Sequence, residues 1–539
     1  MNVALYGIGE GENRKWVMVD LGITFAGPDL PGIDLVLPDI SFAEAERHSI
    51  CGLILTHAHE DHFGAVLPLF ERLKVPVFAT KFTAGLLEAK RAENGGGVGM
   101  KIIEVRQDAR FQVGPFDCEL VSVAHSIPEP NALVFHREDG AIINTGDWKL
   151  DPEPVIGPTT NEKRFQELGD AGVAAMVCDS TNAFREGVSP SEGDVGRELK
   201  RIIGEASKRV AVTIFASNLA RLKSVADAAR SAGREVVLAG RAMHRMVGVA
   251  RDTGYLDDGY RFLSEDDFGY LPRDKVLLLC TGSQGEPRAA ISRIARDDHP
   301  RIALSEGDTV IFSSRTIPGN EKSVGAIQNM LIDSGMKLVT DTDATVHVSG
   351  HPRIGELKKL YDLVRPEVCV PAHGEARHLK AHAELARDCG VPIVVEARNG
   401  DVVCLTDEPG IVDDVPSGRW LEDGRFQVEH DDDGVKERRK LSFAGCVFVS
   451  LALSQRGEIP SQPSLDAFGL PNPEDNEIDL LDVAADAVDD ALDALPKARR
   501  RDPDHVEAIL RRAVTNSIRS VWGKKPLCIV QIHDVESAK

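Results

Sequence analysis

The sequence predicts an α/β protein in which a doubly wound parallel sheet is inserted into a first domain, and a small α+β domain follows. Three observations lead to this prediction. The chain has 539 residues, which is too many for a single core. Short strands with polar ends fill the first part of the chain and return after about residue 346. Between them, residues 190–345 alternate regularly between strands and helices.

The first segment consists of short apolar strands separated by loops. Several of these strands end in a polar residue, as in "KWVMVDLG", "GLILTH", "FDCELVSVAH" and "AIINTGD". Open α/β sheets place their ligand-binding groups at such strand ends. A helix is predicted between them, from Thr83 to Ala92.

The middle segment repeats the order strand, small polar turn, helix. Helices over 218–232, from Arg241, from Pro287 and over 321–334 follow the strands in "RVAVTIFAS", "EVVLAG", "KVLLLCTGSQGE" and "DTVIFSSRTIPGNE". This alternation predicts the parallel doubly wound sheet. Glycines and small polar residues after each strand can bind an anion.

After the insertion, "TVHVSGH", "EVCVPAHGE" and "PIVVEARNGDVVCL" read again as strands with polar ends. We therefore place the first domain at 1–188 and 347–426, the inserted domain at 189–346, a charged linker at 427–445 and the α+β domain at 446–539. In this last domain we expect the strand "GCVFVSLALS", helices over 476–495 and 504–523, and the closing strand "LCIVQIHDV".

Composition limits the classes of function. A formal net charge of −22 gives no broad attraction for nucleic acid or anionic membranes, so a nucleic-acid substrate would need a local site. The chain has no signal-like N-terminus, and no apolar run reaches the ~18 residues of a membrane span. Nine scattered cysteines are typical of reduced thiols. We expect a cytoplasmic protein with no membrane partner.

The stretch "HAHEDH" carries the strongest chemical signal. It supplies three histidines and an aspartate, His57, His59, Asp61 and His62, directly after a strand. Imidazole and carboxylate groups are ligands for zinc or manganese. His125, Asp147 and His373 end other strands and extend the set, whereas Asp20 can orient a ligand or cap a turn.

These motifs resemble the metallo-β-lactamase superfamily, whose αββα sandwich is the fold that the resemblance implies for the first domain. The resemblance implies one metal held by His57, His59 and His125, a second held by Asp61, His62 and His373, and a bridging Asp147. "DSTNA", "HVSGH" and "PAHGE" resemble the β-CASP branch, which cleaves nucleic acid. With "FASN", "GSQGE" and "IPGNE", the motifs resemble bacterial ribonuclease J over residues 14 to about 375, and more weakly in the C-terminal domain.

The resemblance to ribonuclease J implies two divalent metal ions, zinc or alternatively manganese or magnesium, and roles for further residues. His351 is the candidate proton donor to the leaving oxygen, and Asp61 assists proton transfer. The remaining substrate-binding candidates hold a nucleotide or a phosphate: Ala216, Ser217, Asn218, Ser283, His347, Val348, Ser349 and Gly350. Tight-turn chemistry alone is the alternative for "FASN" and "TGSQGE".

The family resemblance implies an RNase of RNA maturation and decay. It would degrade single-stranded RNA in the 5′-to-3′ direction, prefer a 5′-monophosphate and also cleave internally. It would be a homodimer or higher homo-oligomer with RNA-decay proteins as partners. Three alternatives stay open: an endonuclease or DNA-cleaving β-CASP enzyme, a small-molecule metallohydrolase, and an RNA-binding scaffold without activity.

The chain departs from the family at its N-terminus. We expect the family's leading strand, with its glycine-rich turn, to be missing before the strand that ends at Asp20. That loss would leave an exposed sheet edge and weaken the support of Asp20.

Overall fold

The computed structural model describes residues 1–471 and 478–535. The chain divides into two compact units, Met1–Thr24 with Leu37–Arg419, and Phe25–Val36 with Trp420–Lys539. The first residues of the helix predicted over 476–495, and the last four of the predicted domain 446–539, lie outside the described residues.

The first unit contains a five-stranded sheet that carries the "HAHEDH" loop. Its strand order is β1 (Ala4–Ile8), β2 (Lys15–Val19), β5 (Ile50–Ile54), β6 (Val77–Ala79) and β7 (Ile102–Glu104). β1 is antiparallel to β2, and the other neighbours are parallel. The predicted absence of a leading strand is wrong, because β1 pairs with β2 along its whole length and a glycine-rich turn joins them.

A seven-stranded sheet faces the first. Its order is β19 (Ile393–Val394), β18 (Val368–Ala372), β12 (Val173–Asp179), β11 (Ala141–Asn144), β10 (Asn131–Phe135), β9 (Phe116–Ser122) and β8 (Arg110–Val113). Val19 and Ile54 of the first sheet pack in one buried cluster with Leu120 and Leu133 of the second. These alternating strand positions form the core between the sheets.

Helices cover the outer faces of the sandwich. They are α1 (Ser41–Ala45), α2 (Glu60–Phe63), α3 (Val66–Leu73), α4 (Lys81–Asn94), α5 (Glu162–Ala171), α11 (Ile354–Val364) and α12 (Ala376–Asp388). Phe165 of α5 and Leu357 of α11 pack with Val121 and Val134 on the outer face of the seven-stranded sheet. A hairpin of β20 (Asp401–Cys404) and β21 (Gly410–Asp414) follows. The predicted αββα arrangement is confirmed.

The insertion is a parallel five-stranded sheet, as predicted. Its order is β14 (Glu235–Ala239), β15 (Val276–Cys280), β13 (Val210–Thr213), β16 (Thr309–Phe312) and β17 (Lys337–Val339). The strands alternate with α6 (Glu192–Glu205), α7 (Leu219–Ser231), α8 (Arg241–Thr253), α9 (Ala290–Ala295) and α10 (Glu321–Asp333). Buried runs such as "VLLLC" suit strands that are covered on both faces.

The second unit contains two sheets. One has the order β23 (Phe426–Glu429), β22 (Arg419–Asp423), β4 (Leu35–Pro38) and β3 (Thr24–Phe25). The other has the order β25 (Ser464–Phe468), β24 (Cys446–Ser454) and β26 (Leu527–Val535), packed on α14 (Leu480–Ala494) and α15 (Pro503–Trp522). The second sheet and its helices form the predicted small α+β domain.

Two sequence-based expectations differ from the structure. "TVHVSGH" is a loop rather than a strand, because side chains take up its carbonyl groups: Arg221 donates to Val346 O and Asn182 to His351 O. The stretch 427–445, predicted as a linker, contains most of β23 and the helix α13 (Asp433–Ala444). Asp432 accepts from two backbone N–H groups at the start of this helix, which the charged composition did not reveal.

Two further expectations concern cysteines and membranes. All nine cysteines are free thiols. Within the described residues, no helix is both long and apolar enough to cross a membrane.

Candidate metal centre

The predicted ligands meet where strands of both sheets end. His57 follows β5, and His59, Asp61 and His62 lie at the start of or within α2, the short helix that begins after it. His125, Asp147 and His373 lie shortly after β9, β11 and β18 of the facing sheet. Glycine permits this close approach at one point, because a Cβ on Gly22 would lie 1.7 Å from Asp61 O.

The first group of ligand atoms comprises three imidazole nitrogens and one carboxylate. His59 Nδ1 lies 3.1 Å from both His57 Nε2 and His125 Nε2. Asp147 Oδ2 lies 3.7 Å from His57 Nε2 and 3.6 Å from His125 Nε2. Ligands that bind zinc tetrahedrally at about 2.1 Å are separated from one another by about 3.4 Å. The four ligand atoms all lie within 4.8 Å of one another, a spacing compatible with a metal site.

The second group shares Asp147. His62 Nε2 lies 3.3 Å from Asp147 Oδ2 and 3.6 Å from Asp61 Oδ2. His373 Nε2 lies 3.9 Å from Asp61 Oδ2, and His373 Nδ1 lies 3.4 Å from Asp147 Oδ1. Asp147 therefore lies within 4 Å of histidines of both groups.

Asn2 is a contact of this group that the sequence did not indicate. Its amide nitrogen lies 2.9 Å from His62 Nε2 and donates to Asp61 Oδ2 at 3.1 Å. Two ligand atoms on different side chains therefore face one donor, so their lone pairs point to a common location.

Hydrogen bonds behind the ligands fix the orientation of the rings. His125 Nδ1 donates to Gly350 O at 2.7 Å, and His62 Nδ1 donates to Asp20 Oδ2 at 2.7 Å. The Thr56 hydroxyl donates to Asp20 and accepts from His57 Nδ1. With their Nδ1 atoms engaged in this way, these three histidines present Nε2 to the centre, which is the pattern of outer support seen around metal-binding histidines.

Burial controls the protonation of the histidines. It holds the pKa of His57 and of His125 well below the usual value and lowers the pKa of His59 to about 4. These rings are therefore neutral, which is the form that binds a metal. For His62, burial acts in the same direction, but the carboxylates of Asp147, Asp61 and Asp20 outweigh it and raise the pKa.

The residues fit divalent metal ions. Asp147 Oδ1 and His373 Nδ1 are buried and have no hydrogen-bond partner among the described residues. Several lone pairs therefore point into one space that contains few hydrogen-bond donors, and a cation stabilises such an arrangement. The cluster is compatible with a divalent metal site, and Asp20 supports it as a hydrogen-bond acceptor.

His351 lies beside this cluster. Its Nδ1 donates to Asp179 Oδ2 at 2.8 Å and is 3.9 Å from Asp147 Oδ2. Burial lowers the pKa of His351, but Asp179 and Asp147 outweigh it and raise the pKa to about 9. The two carboxylates therefore favour the cationic form of the ring at neutral pH. Sequence reasoning assigned no role to Asp179, although it ends β12 in the same way as the predicted ligands end their strands.

The predicted phosphate-binding residues of the "HVSGH" loop surround His351. Ser349 Oγ accepts from Asn182 Nδ2 at 2.8 Å, and Val348 is buried. Gly350 packs against the His125 ring, from which an added Cβ would lie 2.5 Å. His347 Nδ1 is buried without a partner among the described residues, and burial holds the pKa of this histidine well below its usual value.

The predicted nucleotide-binding residues follow β13 and β15, which are neighbours in the inserted sheet. Asn218 Oδ1 accepts from Arg221 N at 2.9 Å and so caps α7, which is the turn role left open above. Ala216 and Ser217 lie before this helix, and Ser283 is buried after β15. Among the described residues, no recorded contact joins these four to the metal ligands.

Family models match four parts of the chain. They are the metallo-β-lactamase superfamily (residues 2–160), the ribonuclease J β-CASP domain (207–331), the Zn-dependent metallo-hydrolase RNA specificity domain (340–396) and the ribonuclease J C-terminal domain (434–535). Together these matches include every predicted site residue.

Whole proteins give the same result. The chain is 51% identical to ribonuclease J of Sinorhizobium meliloti over 536 residues, which is 99% of this chain and 95% of that protein. It is 37% identical to ribonuclease J of Thermus thermophilus over 445 residues, covering 80% and 77% of the two chains. A crystal structure of a protein of unknown function from Enterococcus faecalis aligns with a TM-score of 0.50 at 16% identity, covering 73% and 94%, and supports the fold alone.

Proposed function

This chain belongs to the ribonuclease J family of metal-dependent RNA hydrolases, and on that premise we propose that it degrades single-stranded RNA from a 5′-monophosphorylated end and also cleaves internally. The observation that carries the proposal is the convergence of seven His and Asp ligands beside a cationic His351. We propose that the protein acts in the cytoplasm, in RNA maturation and decay, with RNA-decay proteins as partners.

The proposed centre holds two divalent ions, zinc or alternatively manganese or magnesium. One ion would be held by His57, His59 and His125, and the other by Asp61, His62 and His373, with Asp147 shared. When bound, such ions supply an activated water and neutralise charge on the phosphoryl oxygens. The acidic protein thus has a local attraction for RNA although its net charge is −22.

Proton transfer to the leaving 3′-oxygen is assigned to His351. Asp179 holds this ring by its Nδ1, so Nε2 is the atom left to donate. Thr181 donates to the other oxygen of Asp179 through both its backbone N–H and its hydroxyl, at 2.8 and 2.7 Å, which fixes the carboxylate. Asp61 has a side chain that is 40% exposed, which suits a group that exchanges protons with water.

Recognition of the terminal nucleotide is assigned to the loops around the centre. His347, Ser349 and the backbone at Gly350 would bind the phosphate. Support comes from the unpartnered His347 Nδ1 and from the nearby positive charges of Arg221, Arg315 and Lys149. The nucleotide itself would contact Ala216, Ser217, Asn218 and Ser283.

We propose the domain division given by the sequence, including 189–346 as the inserted domain. We also propose that the C-terminal domain mediates homodimers or higher oligomers.

The test compares two RNAs that differ only at the 5′ end. The full-length protein with Mn²⁺ should release mononucleotides from a 5′-monophosphorylated single-stranded RNA and act much more slowly on its 5′-triphosphorylated counterpart. The His59→Ala variant is the inactive control. Equal rates on both RNAs would refute recognition of the terminal phosphate. Equal release by wild type and variant would refute the metal-dependent reaction.

A further inference from the structure

Three arginines beside the metal centre are not explained by the proposed chemistry. Arg185 follows the "DSTNA" motif, Arg315 follows β16, and Arg353 lies directly before α11. Burial, followed by the charges of Arg315 and Arg353, lowers the pKa of Arg185. The three guanidinium groups are therefore electrostatic neighbours, an unfavourable arrangement that stable proteins normally offset with carboxylates.

The offset within the protein is small. Arg315 pairs with Asp341 at 3.3 Å, but neither Arg185 nor Arg353 forms an ion pair within the part of the chain that the structure describes. Their Nε atoms are buried and lack hydrogen-bond partners. Among the other arginines with unpartnered Nε atoms, Arg273 pairs with Asp308 and Arg234 donates to backbone carbonyls. Arg209 also lacks an ion pair within the described residues, but its guanidinium lies over Phe268 in the inserted domain. Within the described residues, these two cationic groups thus lack a carboxylate at ion-pair distance, in a chain that carries 85 acidic residues.

An exposed aromatic platform adjoins the arginines. The Phe184 ring is stacked on the His378 ring, with centroids 5.1 Å apart and planes 9° apart, and the Arg185 guanidinium lies 5.4 Å from the centre of the Phe184 ring. Phe184 is nevertheless 48% exposed. The His378 ring is held in place because its Nδ1 accepts from Glu375 N at 3.1 Å.

Backbone contacts connect this platform rigidly to the catalytic loop. Ile354 N donates to Arg185 O at 3.0 Å, and Gly355 N donates to Gly187 O at 2.8 Å. Asn182, two residues before Phe184, donates to Ser349 Oγ and to His351 O. On the other side, His378 lies five residues after the ligand His373. The platform and the arginines therefore border the site of hydrolysis.

We propose that Phe184, stacked on His378, together with Arg185, Arg315 and Arg353, forms a subsite that binds a stacked base and the flanking phosphates of the RNA substrate beside the bond being cleaved. The proposal rests on the proposed function. Aromatic rings bind bases of any sequence by stacking, and guanidinium groups bind phosphate in a two-pronged geometry. Such a subsite explains how a strongly acidic protein holds a polyanion without a broad basic surface.

The test measures binding of a single-stranded, 5′-monophosphorylated RNA with an uncleavable phosphorothioate backbone to the full-length protein. Phe184→Ala should weaken binding about tenfold, the scale of one base–aromatic stack, without changing the salt dependence. Phe184→Tyr should bind like the wild type. The double variant Arg185→Gln/Arg353→Gln should lower the slope of log affinity against log salt by about 1.4, since each contact with a single-strand phosphate contributes about 0.7.

Matched controls are Tyr270→Ala, at an aromatic side chain that is 90% exposed, and Arg261→Gln, at an exposed arginine. A further test uses a series of RNAs, each with a single abasic nucleotide at a different position. The wild-type protein should lose most affinity for the RNA in which one particular position is abasic, the position whose base stacks on Phe184. Phe184→Ala should lose no further affinity at that position. With cleavable RNA at saturating concentration, the kcat of Phe184→Ala should stay within about twofold of the wild-type value, because the subsite holds substrate and does not touch the reacting atoms.

Affinities and salt slopes equal to those of the controls would overturn the subsite. A loss of kcat in Phe184→Ala as large as its loss of affinity would also overturn it, because the ring would then act on the centre. These failures differ from failure of the proposed function, in which the wild-type protein does not hydrolyse RNA at all.

Discussion

Replacing Asp20 with Asn tests whether hydrogen bonds behind the ligands hold the metal centre. Three donors converge on this buried carboxylate: Thr56 N on Oδ1 at 2.8 Å, and the Thr56 hydroxyl and His62 Nδ1 on Oδ2 at 2.8 and 2.7 Å. Asn has nearly the same shape but offers one acceptor oxygen. Its NH₂ group must face at least one of these N–H or O–H donors, so a buried contact becomes repulsive.

The backbone should tolerate this change. Asp20 has a φ of 60°, in the left-handed region that Asn also adopts readily. The effect should therefore fall on the orientation of His62. Loss of such outer support typically lowers metal affinity or activity by about 10–100-fold, or about 1.4–2.8 kcal/mol. We expect the curve of RNA-cleavage rate against free metal concentration to shift by this factor to higher concentration.

The assay titrates metal-depleted protein with buffered Mn²⁺ or Zn²⁺ and measures both bound metal and RNA cleavage. Asp108→Asn is the matched control, because Asp108 also has a left-handed φ, 55°, and accepts from Ser122 N, but away from the ligands. An unshifted curve for Asp20→Asn, or an equal shift in Asp108→Asn, would refute the reasoning.

Three further predictions follow from the contacts around the centre and in the inserted domain. His351→Gln should lower kcat by about 10²–10⁴-fold, the usual contribution of an acid–base group, with unchanged metal content; loss of bound metal would make His351 a ligand instead. Burial lowers the pKa of His382, which lies between Ser180 and Tyr361, to about 4, so the folded state disfavours its protonation. The neutral His382 therefore contributes its full stabilisation of the folded state above about pH 6.5, and this stabilisation is lost as the pH falls towards 4. The free energy of urea unfolding should fall by up to about 3 kcal/mol over this range, and His382→Gln should reduce the loss. Arg221→Met should destabilise the inserted domain by about 3–5 kcal/mol in the same assay, because it strands the buried Glu192, whereas Arg201→Met at an exposed pair should change stability by about 1 kcal/mol or less.

The ligand set was accessible from the sequence because each member follows a buried strand. Strand runs such as "GLILTH" and "AIINTGD" can be recognised by their apolar pattern, and parallel strands end at the same edge of a sheet. Asp147 and His373 follow strands of one sheet that run parallel, and His57 follows a strand of the facing sheet. The structure brings the three side chains close together, and their role as metal ligands stays a proposal. Their division between two ions came from the family resemblance and stays a proposal.

Contacts between segments far apart in sequence could not be predicted. Asn182 reaches Ser349 across 167 positions, and His351 reaches Asp179 across 172. Nothing in the local pattern marks these pairs. "TVHVSGH" reads as a strand with a polar end, yet tertiary hydrogen bonds from Arg221 and Asn182 satisfy carbonyls that a neighbouring strand would otherwise bind. The leading strand is hard to recognise because it is short, Gly7 interrupts it and Gly9 directly follows it.

The most direct test of the account is a metal titration of RNA hydrolysis. Protein depleted of metal by a chelator should be inactive, and activity should return in proportion to bound metal up to two equivalents per chain. In the same titration, the His59→Ala variant should bind fewer equivalents of metal and should show no cleavage. Full activity after complete depletion, or full activity with a single bound equivalent, would contradict a two-metal centre built from these seven residues.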